Sequence, residues 1–243
     1  MTDRLRQIDA VILCGGLGKR LRTEIGDAQK VMARVGGQPF LDFLLTYLQG
    51  QGLSRVILCT GFQAESVEQY YVNRDLGLRI TFSREDEPLG TGGAIKNAQT
   101  LIHSDPFFVM NGDSYCPLDY RRLLDFHYAK KAAVTVVAAP QSDQRDFGTL
   151  TLAPEPSDKV TCFEEKIEGA GESCPQDVLV SAGVYCFSQS LFSSMPADRV
   201  FSLEKDFFPA MVGKDFYGYL CQSKFFDIGT RERYNQVKKG GIT

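Results

Sequence analysis

Histidine is scarce in this sequence, and the cysteines do not cluster. Only His103 and His127 occur among 243 residues, so catalysis built on paired histidines is not expected. His127 lies in an apolar helical pattern, and we interpret it as a packing residue. The seven cysteines are scattered, and none forms a C-x-x-C pair. This spacing argues against a disulfide or zinc framework and is typical of small core residues in a reducing compartment.

Long apolar runs and an excess of positive charge are also missing. No stretch approaches the ~20 apolar residues of a membrane span, and residues 1–9 lack an apolar targeting core. The net charge of -3 and the pI near 5.5 argue against a nucleic-acid surface. We therefore expect a cytoplasmic protein whose partners are small molecules, with neither nucleic acid nor a membrane among them. The 43% hydrophobic content suits one core, so residues 1–243 are predicted to form a single domain.

Short apolar runs alternate with helical patterns through the first half of the chain. Strands are predicted at 10–13, 55–60, 79–82, 107–110 and 133–139, with helices at 40–48, 63–71, 95–102 and 120–131. This alternation predicts right-handed βαβ units and an α/β, Rossmann-like fold with a mostly parallel central sheet flanked by helices. From residue 147 the pattern changes to short strands at 147–152, 160–165 and 179–187. These strands predict a smaller mixed or antiparallel part.

A glycine loop directly follows the first predicted strand. Gly15, Gly16 and Gly18 allow the backbone to turn and bring its N–H groups close to anionic oxygens. Lys19 and Arg20 add positive charge beside them. A dinucleotide-binding G-x-G-x-x-G pattern fails because its third glycine falls on Leu21, and a Walker loop fails because Arg20 stands where Ser or Thr is required. The loop is therefore predicted to hold a polyphosphate.

Two carboxylates follow predicted strands at widely separated positions. Asp113 stands in Asn-Gly-Asp just past the strand at 107–110, where open α/β sheets bind ligands. Asp227 stands in Phe-Asp-Ile-Gly-Thr near the end of the chain. One Mg²⁺ would join the two carboxylates, because it prefers a few hard oxygen ligands. The alternative for Asp113 is a turn or helix-capping role.

A second glycine turn runs from Glu85 through Gly90 and Thr91 to the helix expected at 95–102. The N–H groups at the start of this helix would bind a nucleotide or pyrophosphate. Read structurally, the same stretch is a strand-to-helix connection with Thr91 as the N-cap. Both readings place the turn at an edge of the sheet.

Taken together and in this order, the motifs resemble those of the sugar-1-phosphate nucleotidyltransferases, or nucleotide-sugar pyrophosphorylases. The resemblance runs from 11 to about 234 and includes G-G-x-G-x-R-L followed by Lys30, P-L-G-T-G-G-A, N-G-D, F-G-T, F-E-E-K, S-A-G-V-Y and F-D-I-G-T. It implies the nucleotide-diphospho-sugar transferase fold, Mg²⁺ as cofactor, and transfer of a nucleoside monophosphate from a triphosphate to a sugar 1-phosphate. Residues 8–145 would mainly bind the nucleotide and residues 146–230 mainly the sugar phosphate.

The resemblance also assigns roles to individual residues. Arg20 and Lys30 would hold the reacting phosphates, Lys166 the sugar phosphate, and Asp113 and Asp227 the metal. Nucleotide contacts are expected from Leu13, Gly15, Gly16, Gly18, Lys19, Glu85, Gly90, Thr91 and Gly112. Sugar-phosphate contacts are expected from Gly148, Glu165, Lys166, Ser181 and Gly183. One departure from the family pattern is Gln29, where proline is usual, and it is expected to loosen the loop before Lys30.

Within this family the sequence looks most like the D-glycero-α-D-manno-heptose-1-phosphate guanylyltransferases. A carboxylate accepts both N–H donors of guanine, and Glu85 is the candidate, with a solvated loop acid as the alternative. Mannose 1-phosphate as acceptor, or a uridylyl or cytidylyl donor, stays open. Two other classes remain as well: a glycosyltransferase, which would usually show Asp-x-Asp, and a non-catalytic nucleotide-sugar sensor. A homo-oligomer is compatible with the sequence.

Overall fold

The computed structural model describes residues 4–140, 147–165, 179–197 and 199–240, with the backbone but not the side chain of Lys19. Within these ranges nine strands form one sheet, and four two-residue strands form two small ladders. The strands are β1 (Asp9–Leu13), β2 (Arg34–Val35), β3 (Gln38–Pro39), β4 (Arg55–Thr60), β5 (Arg79–Arg84), β6 (Phe107–Asn111), β7 (Ser114–Tyr115), β8 (Val134–Ala139), β9 (Gly148–Leu152), β10 (Val160–Glu165), β11 (Leu179–Phe187), β12 (Phe216–Leu220) and β13 (Phe226–Asp227).

The centre of the large sheet is parallel. Strand β1 lies between β4 and β6, and β5 extends the same parallel order beyond β4. Strand β11 then pairs antiparallel with β6, β8 and β9, while β10 pairs antiparallel with β9. The α/β class and the parallel centre are confirmed. The predicted mixed part continues the same sheet through β11.

Helices cover both faces of this sheet. They are α1 (Arg22–Ile25), α2 (Phe40–Gly50), α3 (Ala64–Tyr71), α4 (Gly90–Asn97), α5 (Tyr120–Lys130), α6 (Phe208–Met211) and α7 (Arg231–Gly240). Alternation along β1 sends Ile12 into the apolar cluster under α2, α3 and α5, and Val11 into the cluster under α4 and α6. A third cluster joins Tyr234 and Val237 of α7 to Phe40. It fixes α7 beside the carboxyl end of the sheet.

The helix expected at 95–102 is placed differently. It begins at Gly90 and ends at Asn97, and a 3-10 turn follows at Gln99–Leu101. Glycine costs about 1 kcal/mol in a helix relative to alanine, so the sequence favoured a later start. The reason for the early start is tertiary, because a Cβ on Gly92 would lie 2.1 Å from the Phe201 ring. Packing against Phe201 thus requires small residues in this first turn.

Further expectations concern membrane segments and thiols. In the described ranges, no helix is both long and apolar enough to span a membrane. The six described cysteines are free thiols, and all but Cys162 are buried. Their burial agrees with the prediction that they are small core residues. Cys174 lies outside the described residues.

Candidate active site

The ends of three parallel strands meet beneath one cleft. Leu13 of β1 is in register with Cys59 of β4 and Asn111 of β6. A cavity of about 300 Å³ opens above them, at the edge where sheets of this kind bind ligands. Eight of the predicted site residues line it: Leu13, Gly15, Gly16, Lys30, Glu85, Gly90, Thr91 and Asp113.

Gln29 anchors the glycine loop that forms one wall of this cleft. Its side chain is 1% exposed, and its amide N–H₂ donates to the carbonyl oxygens of Cys14 and, at 3.1 Å, Gly16. Its oxygen accepts from Val31 N at 2.7 Å. The expectation that Gln29 would loosen this part of the chain is wrong, because its hydrogen bonds tie the segment before Lys30 to the loop. Sequence reasoning missed this role.

Glu85 lies against the glycine loop from the opposite side. Its Oε1 would be 2.5 Å from a Cβ on Gly15 and 2.4 Å from one on Gly61, so both positions need glycine for Glu85 to approach. Its Oε2 accepts from Leu89 N at 3.2 Å. Burial raises the pKa of this carboxyl above its ordinary value, although the Leu89 N–H acts in the opposite direction. Glu85 is therefore a partly desolvated acceptor in the cleft wall.

Thr91 does not cap helix α4. The N-cap is Leu89, without a side-chain hydrogen bond, and the Thr91 hydroxyl donates to Glu204 Oε2 at 2.9 Å while accepting from Leu203 N at 2.8 Å. The N–H groups of Gly92 and Gly93 are taken by the carbonyl oxygen of Phe201. The alternative, structural reading of Thr91 as the N-cap is therefore wrong. Because the N–H groups of Gly92 and Gly93 are engaged, the expected nucleotide or pyrophosphate contact at this turn stays a prediction for Gly90 and Thr91.

Glu204 links this turn to the strand expected to contact the sugar. Besides Thr91, it accepts from the Tyr185 hydroxyl of β11 at 3.2 Å. That hydroxyl also lies 3.1 Å from Ser181 Oγ, which accepts from Gly183 N at 3.3 Å. Sequence reasoning missed Glu204, because a hydrogen-bond chain across three segments leaves no local pattern.

Asp113 is held by Lys30 at the edge of the cleft. The Lys30 ammonium donates to Asp113 Oδ2, and the side chains are 15% and 28% exposed, respectively. Burial would raise the pKa of Asp113, but Lys30 and a hydrogen bond from Ser114 outweigh it, so the pKa lies below its ordinary value. Asp113 is thus a carboxylate at neutral pH.

Asp227 is brought next to Asp113 by the small β7–β13 ladder. Asp227 pairs with Ser114, and the N–H of Ile228 donates to the Asp113 carbonyl at 3.0 Å. Burial raises the pKa of Asp227, Arg233 opposes the rise, and the nearby Asp113 charge adds to it. The ladder therefore brings the Asp113 and Asp227 segments together, and the joint metal role expected of the two carboxylates stays a prediction.

The donor set at this ladder fits a hard divalent cation. Asp113 and Asp227 offer carboxylate oxygens, and no group of three or more His, Cys, Asp or Glu ligands occurs in the described part of the chain. Mg²⁺ keeps several waters and substrate oxygens in its shell and needs only one or two carboxylates. These two residues would hold such an ion.

The described residues expected to contact the sugar phosphate lie on β9, β10 and β11 and do not line the cavity: Gly148, Glu165, Ser181 and Gly183. A Cβ on Gly148 would be 2.8 Å from the Phe163 ring, and one on Gly183 would be 2.8 Å from Asn111 Nδ2. Gly183 also has φ of 70°. Glu165 Oε1 lies 3.6 Å from Lys205 Nζ, and its buried Oε2 has no hydrogen-bond partner among the described residues.

Five further residues were predicted to belong to the site: Gly18, Lys19, Arg20, Gly112 and Lys166. Gly18, with φ of 57°, packs on Lys30, and the exposed Arg20 lies in the 3-10 turn that follows. The N–H of Gly112 donates to Leu13 O at 3.0 Å, in a space too narrow for a side chain. None of these three lines the cavity. Lys166 and the side chain of Lys19 lie outside the described part of the structure.

Two named relatives align with nearly all of this chain. The D-glycero-alpha-D-manno-heptose 1-phosphate guanylyltransferase of Aneurinibacillus thermoaerophilus is 35% identical over 233 residues, which cover 96% of this chain and 97% of that protein. The mannose-1-phosphate guanylyltransferase of Mycobacterium tuberculosis is 36% identical over 232 residues, covering 94% of this chain and 63% of that protein.

A solved structure has the same fold. HddC from Yersinia pseudotuberculosis, complexed with GMP-PN, is similar with a TM-score of 0.81 and 33% identity, over 96% of this chain and 99% of that one. The family model described as nucleotidyl transferase matches residues 9–240. With a match over this length, the chain belongs to the nucleotidyl transferase family and is a nucleotidyltransferase related to guanylyltransferases.

Proposed function

We propose that this protein transfers GMP from GTP to D-glycero-α-D-manno-heptose 1-phosphate, giving the GDP-sugar and pyrophosphate. The observation that carries the proposal is the cleft itself, where the glycine loop, Glu85, Lys30 and Asp113 face one cavity. A guanylyltransferase relative that aligns over 97% of its length supports the choice of reaction. Mannose 1-phosphate is the second candidate acceptor, because a mannose-1-phosphate guanylyltransferase is equally similar in sequence.

The nucleotide would bind with its base against Glu85 and its phosphates along the glycine loop. Guanine presents two neighbouring donors, N1–H and N2–H₂, which one carboxylate accepts together. Glu85 is already partly desolvated and oriented by Leu89 N. Loop N–H groups, with Arg20, would hold the β- and γ-phosphates. In this proposal, residues 8–145 bind mainly the nucleotide.

Asp113 and Asp227 would hold Mg²⁺ beside the α-phosphate. When bound, the ion would polarise that phosphate and stabilise the charge that builds up on its oxygens. Lys30, which contacts Asp113, would bind the reacting phosphates beside the same site. Its charge would offset the repulsion between the two polyanionic substrates.

The acceptor would attack without a general base from the protein. The second pKa of a phosphate monoester is about 6, so the sugar 1-phosphate is mostly a dianion at neutral pH. Its oxygen would form the new bond to the α-phosphorus, while the bond to the oxygen bridging to the β-phosphorus breaks and pyrophosphate leaves. Positioning of the two substrates in line is then the main task of the protein.

The sugar would lie over β9, β10 and β11. The buried Glu165 Oε2 is an acceptor for a sugar hydroxyl, and Ser181 and Gly183 lie on the bulged part of β11. Lys166, which follows Glu165 directly in the chain, would bind the sugar phosphate. Residues 146–230 are thus assigned mainly to this substrate.

Release of pyrophosphate tests the proposed reaction and its specificity. Each of GTP, UTP, CTP, ATP and dTTP would be mixed with Mg²⁺ and with the 1-phosphates of the manno-heptose, mannose, glucose and N-acetylglucosamine. We expect release with GTP and the heptose. Release with GTP and mannose alone would identify the second candidate, and release with UTP or CTP would overturn the guanine assignment. No release with any pair would favour a nucleotide-sugar sensor.

A further inference from the structure

Each proposed metal carboxylate is engaged by a cation from the protein itself. Lys30 donates to Asp113 Oδ2. Arg233 Nη1 lies 3.2 Å from Asp227 Oδ1 and 3.4 Å from its Oδ2. The Arg233 and Asp227 side chains are only 16% and 9% exposed. Both ion pairs are therefore largely shielded from water. Ion pairs that are fully exposed to solvent contribute little to stability.

Arg233 is held in this position by its surroundings. Its guanidinium carbon lies 4.4 Å from the centre of the Phe147 ring, and Phe147 in turn packs edge-on against Phe225 at 5.3 Å. The backbone N–H of Arg233 donates to Thr230 Oγ1 at 3.3 Å. Its neighbour Tyr234 anchors α7 in the third apolar cluster. A guanidinium stacked on an aromatic ring and aimed at a carboxylate is a fixed charge.

The four charges of this cluster compensate one another. Asp113 and Asp227 supply two negative charges, and Lys30 and Arg233 supply two positive charges beside them. A divalent ion that approaches the carboxylates would therefore meet two cations within contact distance of its ligands. Coulomb repulsion over such distances weakens the binding of the ion. A bound triphosphate changes this balance, because its oxygens attract both the ion and the side-chain cations.

We propose that Arg233 is a positioning residue that, together with Lys30, balances the Asp113–Asp227 pair until the nucleotide binds. This inference rests on the proposed function of the same site. The free protein then binds a divalent cation weakly, and the cation enters together with the nucleotide. In that step the negative charge of the triphosphate offsets the charges of Lys30 and Arg233, while Arg233 keeps its contact with Asp227.

Binding of Mn²⁺ without nucleotide tests the inference independently of turnover. The free Mn²⁺ signal in electron paramagnetic resonance would be followed as the wild type, Arg233→Gln, Arg233→Lys and Arg231→Gln are titrated. Arg231 is the matched control, since it lies on the same helix and pairs with Glu24 at the surface. We expect Arg233→Gln to bind Mn²⁺ about tenfold more tightly or better, the scale of removing one adjacent charge. Arg233→Lys, which keeps the charge, and Arg231→Gln should resemble the wild type.

Two further variants keep the test decisive. Lys30→Gln removes the cation from the other carboxylate and should also strengthen Mn²⁺ binding, so it applies even if Arg233→Gln does not fold. Adding Asp113→Asn to Arg233→Gln should abolish the gain, which would locate the ion at this pair. Unchanged or weaker Mn²⁺ binding in Arg233→Gln and Lys30→Gln would overturn the inference, as would tight binding to the free wild type.

A separate measurement distinguishes this inference from the proposed metal site. Binding of a non-hydrolysable GTP analogue would be measured by calorimetry with and without Mn²⁺. Strengthening by Mn²⁺ in the wild type but not in Asp113→Asn is expected. If Mn²⁺ strengthens the binding but Arg233→Gln has no effect on Mn²⁺ alone, only the role of Arg233 fails. If Mn²⁺ has no effect on nucleotide binding, the metal assignment and the inference both fail.

Discussion

The backbone of Phe201 occupies the space that a side chain would need at Gly90. A Cβ on Gly90 would lie 2.5 Å from the carbonyl oxygen of Phe201, and Gly90 has φ of 76°. The same carbonyl oxygen accepts from Gly92 N at 3.0 Å, while Phe201 N donates to Leu89 O at 3.1 Å. The segment at 201 is therefore fastened to the turn that lines the cleft.

Gly90→Ala should disturb this junction. Strain at positive φ and a backbone clash predict a loss of about 1–3 kcal/mol in the free energy of unfolding, together with a lower kcat/KM. Urea denaturation and steady-state kinetics would measure both. Gly50→Ala is the control, because a Cβ there meets nothing within 4 Å. A Gly90→Ala protein as stable and active as Gly50→Ala would contradict this account.

Gln29→Ala should loosen the glycine loop. Its three hydrogen bonds would be lost, leaving the carbonyl oxygens of Cys14 and Gly16 and the N–H of Val31 without this partner. An unsatisfied buried polar group costs about 1–3 kcal/mol, and a displaced loop should raise KM for the nucleotide. The exposed Gln38→Ala serves as control, measured by thermal unfolding and initial rates. If the two variants have the same thermal stability and the same KM, the Gln29 side chain does not stabilise the glycine loop.

Glu85→Gln should alter the choice of base. The amide keeps one acceptor oxygen but places a donor where guanine also presents a donor, so kcat/KM for GTP should fall about tenfold or more. Activity with ATP or UTP, if present, should fall less. Glu87→Gln, at an exposed position two residues further on, controls for the loss of one negative charge. A GTP preference that survives in Glu85→Gln would place the base elsewhere.

His127 should make stability depend on pH. It is buried between Thr135 and Ser188, at 2.9 and 3.1 Å. Burial lowers its pKa from 6.5 to about 4, while Asp105 acts weakly in the opposite direction. The unfolded chain therefore binds a proton first, so this contribution to stability is complete above pH 6.5 and is lost as the pH falls towards 4. About 3 kcal/mol is at stake, at roughly 1.4 kcal/mol per pKa unit.

Urea denaturation between pH 7.5 and 4.5 would measure this dependence. The wild type should lose more stability over the range than His127→Gln, whose side chain does not titrate. His103→Gln, at an exposed position, should follow the wild type. Parallel curves for the wild type and His127→Gln would show that the His127 imidazole does not titrate differently in the folded and unfolded states.

Local patterns were sufficient for most of the fold. Apolar runs such as Arg55–Thr60 are bounded by turn residues and buried on both faces, so the period of the sequence and the environment of the strand agree. The start of helix α4 was predicted too late because its glycines pack against Phe201, which is more than a hundred residues away in the sequence. Asp113 and Asp227 were assigned to one site from their positions at strand ends, and the β7–β13 ladder places their segments side by side. That assignment required only the rule that ligands bind at the carboxyl edge of the sheet.

The residues that hold these site residues in place could not be predicted from the sequence. Arg233 stands six residues after Asp227, and nothing in the sequence indicates which way α7 turns its side chains. Gln29 has φ of -63°, a value that proline also adopts, so the backbone follows the family pattern while the side chain adds new hydrogen bonds. Both roles depend on contacts between segments, which no local pattern records.

The fate of the α-phosphorus distinguishes transfer of GMP to the sugar phosphate from simple hydrolysis of GTP. GTP labelled at that atom would be incubated with the protein, Mg²⁺ and D-glycero-α-D-manno-heptose 1-phosphate, and the products separated. The account predicts that the label moves into a GDP-sugar in amounts equal to the pyrophosphate released, with a rate reduced about 100-fold in Asp113→Asn, the scale for losing a transition-state charge contact. Label that stays in GTP, or that appears only in GMP or GDP, would contradict it.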